Sequence, residues 1–423
     1  MTTAVAQPNV IELAVPQIDL SRLLARIAAL GEVGKIDGGG VCRLALTDAD
    51  RDGRDLVVRW MKELGLDVSI DGIGNVVGVR AGRTTNAAVM TGSHIDTVRT
   101  GGRYDGNLGV LAGLEVIAAL NDAGIVTERP LAVAFFTNEE GARFAPDMMG
   151  SLVFQGDMEL EDALNTVGID GTTVRENLER IGYAGAAPVG KSRLHAFVEL
   201  HVEQGPVLEH EGITIGAVTG VQGIHWTEFT VEGVSNHAGT TPMALRHDAG
   251  LVAFRIAAFA REVAAEMGAG QLATVGQVNL TPNLVNVIPN RAVFTLDLRN
   301  TDGKALESAV KRVFDFASEA AEKEGVKLTH RSLADFEPVA FDERMVSRVE
   351  TLAREQGHTV RRMPSGAGHD AQMLARMCPS GMIFVPSVAG LSHNVKEFTH
   401  DADIGAGANM LLALMCELAN ETA

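Results

Sequence analysis

The residues able to do chemistry in this 423-residue chain gather where apolar stretches end. In TGSHIDT (91–97), His94 stands two residues before Asp96. A histidine so placed can give one ring nitrogen to a metal while a nearby carboxylate takes the N–H of the other, fixing the tautomer. It can equally be a satisfied turn histidine. In GGRYDGNLGVLAGL (101–114), Asp105 lies at the mouth of an apolar helix pattern. There it either caps the helix or bridges two cations with its two oxygens. In FFTNEEGARF (135–144), Glu139 and Glu140 follow an apolar strand directly. Two adjacent carboxylates repel unless positive charge lies between them. The pattern assigns Glu140 as a ligand and Glu139 as a general base, its pKa raised by its neighbour and by partial burial. A solvated turn carrying two charges is the blander alternative. His201 in VELHVEQGP and His393 in GLSHNVKE complete the set. Five N and O donors from five strand ends meet the needs of a two-metal site with a bridging carboxylate and an open water position. Taken together they are far more specific than any one alone.

The elements that must position these residues follow from periodicity. Apolar residues at helical spacing predict helices over 17–31, 54–64 and 107–123, with Gly31 placed to stop the first. Residues 68–70, 75–80, 87–97 and 131–141 read as strands broken by glycine-rich turns. Buried strands alternating with helices predict an α/β fold, a mainly parallel sheet with helices on both faces. Ligands would then collect at the carboxyl ends of its strands. After HVEQGPVLE (201–209) the character changes: strands at 213–219 and 226–234, a helix at 247–267, strands at 273–280 and 291–299, and an amphipathic helix at 305–325. That βαββα content predicts a smaller α+β open-faced sandwich over 214–330. It would interrupt a main domain made of 1–213 and 331–423, which closes with a strand at 381–387 and a helix at 404–419.

Bulk properties narrow the partners. A formal charge of −18 opposes binding to nucleic acid or to an anionic membrane surface. Hydrophobic residues at 46% allow a large core, while 4% aromatics and 46 glycines suit close-packed α/β layers. Cys42, Cys378 and Cys416 are too few and scattered for a disulfide framework, so a reducing compartment is expected. The opening MTTAVAQPNVIELAV lacks the pattern of a secretory signal, and no uninterrupted apolar run approaches the ~20 residues that span a bilayer. A cytoplasmic location is expected.

The motifs GSHIDT, GGRYDGNLGV, TNEEGARF, ELHVEQGP, NHAGTTPM, NVIPN, LDLR, SGAGHDA and SHNVKE occur in that order between about 17 and 418. In them the chain resembles the M20-type co-catalytic metallohydrolases, specifically the amidase branch: N-carbamoyl-L-amino acid hydrolases, β-ureidopropionases and allantoate amidohydrolases. The histidine of ELHVEQGP favours that branch over peptidase relatives, which usually carry a carboxylate there. The resemblance implies two divalent ions per subunit, Zn2+ or Mn2+ with Co2+ or Ni2+ also accepted. One would lie on His94 and His201, the other on Glu140 and His393, with Asp105 between them. It further implies a catalytic domain plus a lid domain that also forms a homodimer. His237 would stabilise the oxyanion in the partner's site. Arg299 would hold a substrate carboxylate bidentately, aided by Gln204, Asn286 and the backbone at Gly368, with His369 and Asp370 behind the site. Ile224, His225 and Trp226 stand where allantoate enzymes carry an arginine, which favours N-carbamoyl-L-amino acids as substrates. Allantoate hydrolysis, or an aminoacylase or aminopeptidase on the same metals, is the enzymatic alternative. A catalytically dead metal-binding scaffold is the other, disfavoured by the intact Glu139.

Overall fold

The computed structural model describes residues 16–190, 193–268 and 270–421, so the signal-peptide question at 1–15 lies outside the described residues. The strands are β1 (Asp67–Ile70), β2 (Val76–Arg80), β3 (Ala88–His94), β4 (Leu131–Phe136), β5 (Leu194–Val202), β6 (Ile215–Val221) and β7 (Gly223–Glu232). They continue as β8 (Leu272–Thr274), β9 (Val278–Thr281), β10 (Arg291–Asn300), β11 (Lys327–Phe336), β12 (Val339–Ala340), β13 (Val360–Ser365) and β14 (Ser380–Val385). The larger sheet runs β1-β2-β4-β3-β5-β14-β6-β12, with β13 beside β6. Its centre, β4-β3-β5-β14, is parallel, and antiparallel strands flank it. Every residue of β4 and β14 is buried, as parallel strands covered on both faces require.

Helices Asn107–Asp122 and Asp401–Asn420 cover one face, where Gly113 meets Thr91 and Val133 and Gly407 meets Leu200 and Val385. On the other face Glu199 accepts from the backbone N–H of Ala371, in the short helix Asp370–Leu374. Helix Asp401–Asn420 is long and apolar enough to cross a membrane, but most of it is buried against this sheet, as a core helix is.

Two compact units emerge: 1–219 with 341–363 and 369–423, and 220–340 with 364–368. These edges differ from the expected 214 and 330. β6 pairs with β14 in the large sheet, and β11 continues to Phe336 along β7. The smaller unit holds an antiparallel sheet β11-β7-β10-β8, with β9 beside β10. Helices Ala249–Met267 and Gly303–Glu324 pack on one face of it, around Phe229, Phe294, Ile256 and Val313. Alternate residues of β10 are buried, the mark of a sheet covered on one side. The stretch read as one strand over 273–280 is two, β8 and β9. Helices Met149–Gln155, Leu160–Leu164 and Val174–Ile181 occupy a region whose pattern predicted no element.

One buried cation organises the floor of the site. Arg43 is fully buried and donates to the carbonyls of Ile95 (2.7 Å), Leu30 (3.0 Å) and Val33 (2.7 Å) and to Asn107 Oδ1 (2.7 Å). It therefore ties the residue after His94 to a residue two beyond Asp105. Arg43→Met strands these four acceptors, at about 1–3 kcal/mol for each one left unpaired, so stability is expected to fall by about 4 kcal/mol or more. Urea unfolding monitored by circular dichroism measures this; a loss below about 1 kcal/mol would mean that water replaces the guanidinium.

Candidate metal centre

His94 ends β3, and its Nδ1 lies 2.9 Å from the carbonyl oxygen of Asp96. His201, near the end of β5, makes the same contact at 2.9 Å to the carbonyl of Val202. A carbonyl only accepts, so both Nδ1 atoms carry the proton; His94 Nε2 is left to hold a cation or a second proton, while His201 Nε2 also meets the backbone N–H of Gly106 at 3.1 Å. Both Nε2 atoms face Oδ1 of Asp105, at 3.6 Å for His94 and 3.3 Å for His201. His393 Nε2 lies 3.5 Å from the other oxygen, Oδ2, and 3.2 Å from Glu140 Oε2. Asp105 thus shows one oxygen to each set. Bonds of about 2.0–2.1 Å place neighbouring ligand atoms about 3.3 Å apart on a tetrahedron, so both sets have the spacing of metal ligands. The arrangement suits divalent metal binding.

The backbone explains how Asp105 reaches both sets. The helix that follows is capped by Gly106 with no side-chain cap bond, so the capping alternative for Asp105 does not hold. Gly106 has φ 65°, and a Cβ there would lie 2.3 Å from His94 Nε2; only glycine fits. Gln204 Nε2 (2.8 Å) and Ser392 Oγ (3.0 Å) donate to Asp105 Oδ2, so Gln204 is placed against the shared carboxylate.

Asp96 departs from expectation. Its carboxylate stays 3.9 Å from the His94 ring. Instead it accepts from the backbone N–H groups of Glu139 and Glu140, both at 3.3 Å. The main-chain carbonyl already takes the imidazole proton, which frees the side chain to hold the turn carrying the two glutamates. There β4 stops at Phe136, earlier than predicted, because Asn138 adopts φ 59°. Glu140 Oε1 also accepts from the Val98 N–H at 3.2 Å.

Glu139 is 8% exposed, with Oε2 3.3 Å from His94 Nε2. Burial pushes its carboxyl well above the ordinary range, against the pull of His94, and Asp370, Glu140 and Asp105 add to the rise. Burial would raise Asp105 too, but hydrogen bonds with His201 and His94 hold it well below the usual carboxylate range. Burial disfavours protonated His94, yet Glu139 and Asp105 hold its pKa well above normal. Glu140 pushes His393 up to about 9.

Sequence reading missed Glu199. It is fully buried, accepts from Ser93 Oγ (2.6 Å), and groups with His201 and His369. The His369 ring stands edge-on to His201 with centroids 4.5 Å apart. Burial and then the charge of Glu199 push Asp370 up to about 8. The signal for Glu199 was a lone acid inside the apolar strand AFVEL.

The remaining expected residues belong to the smaller unit. His237 Nδ1 accepts from the backbone N–H groups of Gly239 (3.1 Å) and Thr240 (3.2 Å), which puts the ring proton on Nε2 as an outward donor. Asn286 is exposed, and its carbonyl accepts from Ala238 at 2.9 Å, pinning the His237 loop. Arg299 is held by Asp297 through Nε and Nη2 and by the Gly366 carbonyl through Nη1 (2.6 Å), beside the Trp226 ring. Two of its five N–H groups stay available. Gly368 is half-buried, two residues past Gly366.

A mostly parallel α/β sheet with histidine and carboxylate donors at its strand ends defines a class of metal-binding hydrolase folds. The family model for peptidase family M20/M25/M40 matches residues 90–417, and the chain belongs to that family. It is 41% identical over 404 residues to an N-carbamoyl-L-amino-acid amidohydrolase of Rhizobium meliloti, covering 95% of this chain and 97% of that one. A Geobacillus stearothermophilus protein of the same name is 40% identical, over 94% of this chain and 98% of its own. The crystal structure of an amidase of the hydantoinase/carbamoylase family from Burkholderia multivorans superimposes with a TM-score of 0.95 at 46% identity, covering 97% of this chain and all of that one.

Proposed function

We propose that this chain hydrolyses the ureido C–N bond of N-carbamoyl-L-amino acids, giving the amino acid, CO2 and ammonia, with two divalent ions per subunit. The observation that carries the reading is the position of Asp105 between the His94–His201 pair and the His393–Glu140 pair. The names of the relatives support the choice of substrate. Zn2+ and Mn2+ are the proposed ions; mixed imidazole and carboxylate donors accept Co2+ and Ni2+ as well.

When bound, the ions polarise the substrate carbonyl and acidify a water. Glu139 takes that water's proton as oxygen adds to the carbamoyl carbon, and returns it to the departing nitrogen as the C–N bond breaks. In the proposed dimer His237 donates from Nε2 to the oxyanion in the partner's site, and Arg299 grips the α-carboxylate with its free N–H groups. Gln204 keeps the shared carboxylate in place, while Asn286 and Gly368 line the approach of the substrate.

We assign a homodimer, with the smaller unit as lid and interface. In support, it leaves large apolar side chains in the open: Met243 (74% exposed), Leu245 (66%), Phe254 (54%) and Leu284 (59%). A cytoplasmic location accords with three unpaired cysteines.

The test is a panel of N-carbamoyl-L-amino acids, N-acyl amino acids, dipeptides and allantoate, assayed for ammonia and free amino acid. Chelator-stripped protein is expected to be inactive, and divalent ions should restore activity, highest on the carbamoyl compounds. Activity indifferent to the chelator, or turnover led by another substrate class, overturns the proposal.

A further inference from the structure

This inference rests on the reading of Asp105 as the shared carboxylate. The stretch leading into Asp105 is a turn, with no strand or helix to fix it. Upstream, Gly101 is bridged to Val41 and Arg103 Nε donates to the Gly39 carbonyl; at Tyr104 and Asp105 themselves the backbone N–H groups converge on one oxygen. The backbone N–H groups of Tyr104 (2.9 Å) and Asp105 (3.1 Å) both donate to Oε1 of Glu397, a side chain 6% exposed. Glu397 sits four residues past His393, in a turn closed by its own N–H to the Asn394 carbonyl at 3.0 Å. A single carboxylate oxygen thus joins the loop bearing Asp105 to the loop bearing His393. The other oxygen, Oε2, is buried without a hydrogen-bond partner. Burying an unpaired oxygen is unfavourable, so the contacts of Oε1 and the surrounding packing must hold the side chain there. The chain opposite is shaped to receive it: a Cβ at Gly102 would lie 2.3 Å from Oε1 and 2.4 Å from Cδ of Glu397.

We propose that Glu397 is a positioning residue for the metal centre: by gathering the N–H groups of Tyr104 and Asp105 onto one oxygen, it sets where the shared carboxylate stands relative to its imidazoles. The role requires an acceptor of this length and does not require the charge. A glutamine in its place would keep an amide oxygen able to accept both N–H groups; an alanine keeps nothing.

The experiment is Co2+ binding by titration calorimetry, with kcat and KM on an N-carbamoyl-L-amino acid, for the parent, Glu397→Ala, Glu397→Gln and Gly102→Ala. Removing the support of a ligand costs about 10–100-fold in metal affinity or rate. Glu397→Ala is expected to lose that much in Co2+ affinity and kcat, with KM nearly unchanged. Glu397→Gln should stay within about threefold of the parent, since it keeps the acceptor. Gly102→Ala should resemble the alanine variant, because its new methyl displaces Glu397 while its backbone remains allowed. If Glu397→Ala fails to fold, the contrast between Gly102→Ala and Glu397→Gln decides. Undiminished Co2+ affinity in Glu397→Ala or Gly102→Ala, or a glutamine variant as weak as the alanine, overturns the inference. A parent that takes up no Co2+ overturns the reading of the site beneath it.

Discussion

Glu139→Gln is expected to give a folded protein that keeps its divalent ions and loses turnover by about 10²–10⁴-fold, the usual contribution of a positioned acid–base group. The substitution is nearly isosteric, so the amide can occupy the same buried position 3.3 Å from His94 Nε2. The turn beneath it is unaffected, because Asp96 holds it through backbone N–H groups. What disappears is the capacity to take a proton from water and deliver it to nitrogen. Metal content by plasma mass spectrometry and kcat at saturating substrate should therefore separate: the first stays at the parent value and the second collapses. Retention of kcat within about tenfold would remove Glu139 from proton transfer. A parallel loss of metal would make Glu139 a ligand, an outcome its proximity to His94 makes worth measuring.

His94, Glu140 and His201 were legible because each stood at the end of an apolar stretch, and a parallel sheet brings such ends together. β3, β4 and β5 do this for His94, the Glu139–Glu140 turn and His201. Asp105, expected at a strand end, lies instead in the turn before helix Asn107–Asp122. Local contacts were less legible. Asp96 was expected to touch the His94 ring with its carboxylate, but a main-chain carbonyl can make that contact from any residue type and leaves no trace in sequence. Glu199 was hidden because an acid in an apolar strand gives no indication of its partner, which here is a serine 106 residues away. The short helices between 149 and 181 escaped because none is long enough to show a period. The domain edges slipped because β6 and β11 extend beyond the apparent change of character, and strand pairing settles where a unit ends.

Asp105→Asn tests the centre more severely, and its geometry foretells which half fails. Gln204 Nε2, which can only donate, points at Oδ2 from 2.8 Å, with Ser392 Oγ at 3.0 Å. An asparagine will turn its carbonyl oxygen to that side. Its NH2 group then takes the place of Oδ1, facing His94 Nε2 and His201 Nε2 across the 3.3–3.6 Å gaps where a cation fits. An amide N–H there donates to the imidazoles and leaves a cation no lone pair. Binding by the His393–Glu140 half keeps its oxygen and should survive, so metal stoichiometry is expected to fall from two to one. Losing one ion's charge stabilisation, several kcal/mol at the transition state, predicts a drop in kcat of about 10³-fold. The thermal stabilisation that saturating metal confers by mass action should shrink with the lost site. Calorimetric titration with Co2+ reads the stoichiometry directly. Two ions bound at parental affinity would mean that the carboxylate is not shared, and the two-cation geometry built on it would have to be abandoned.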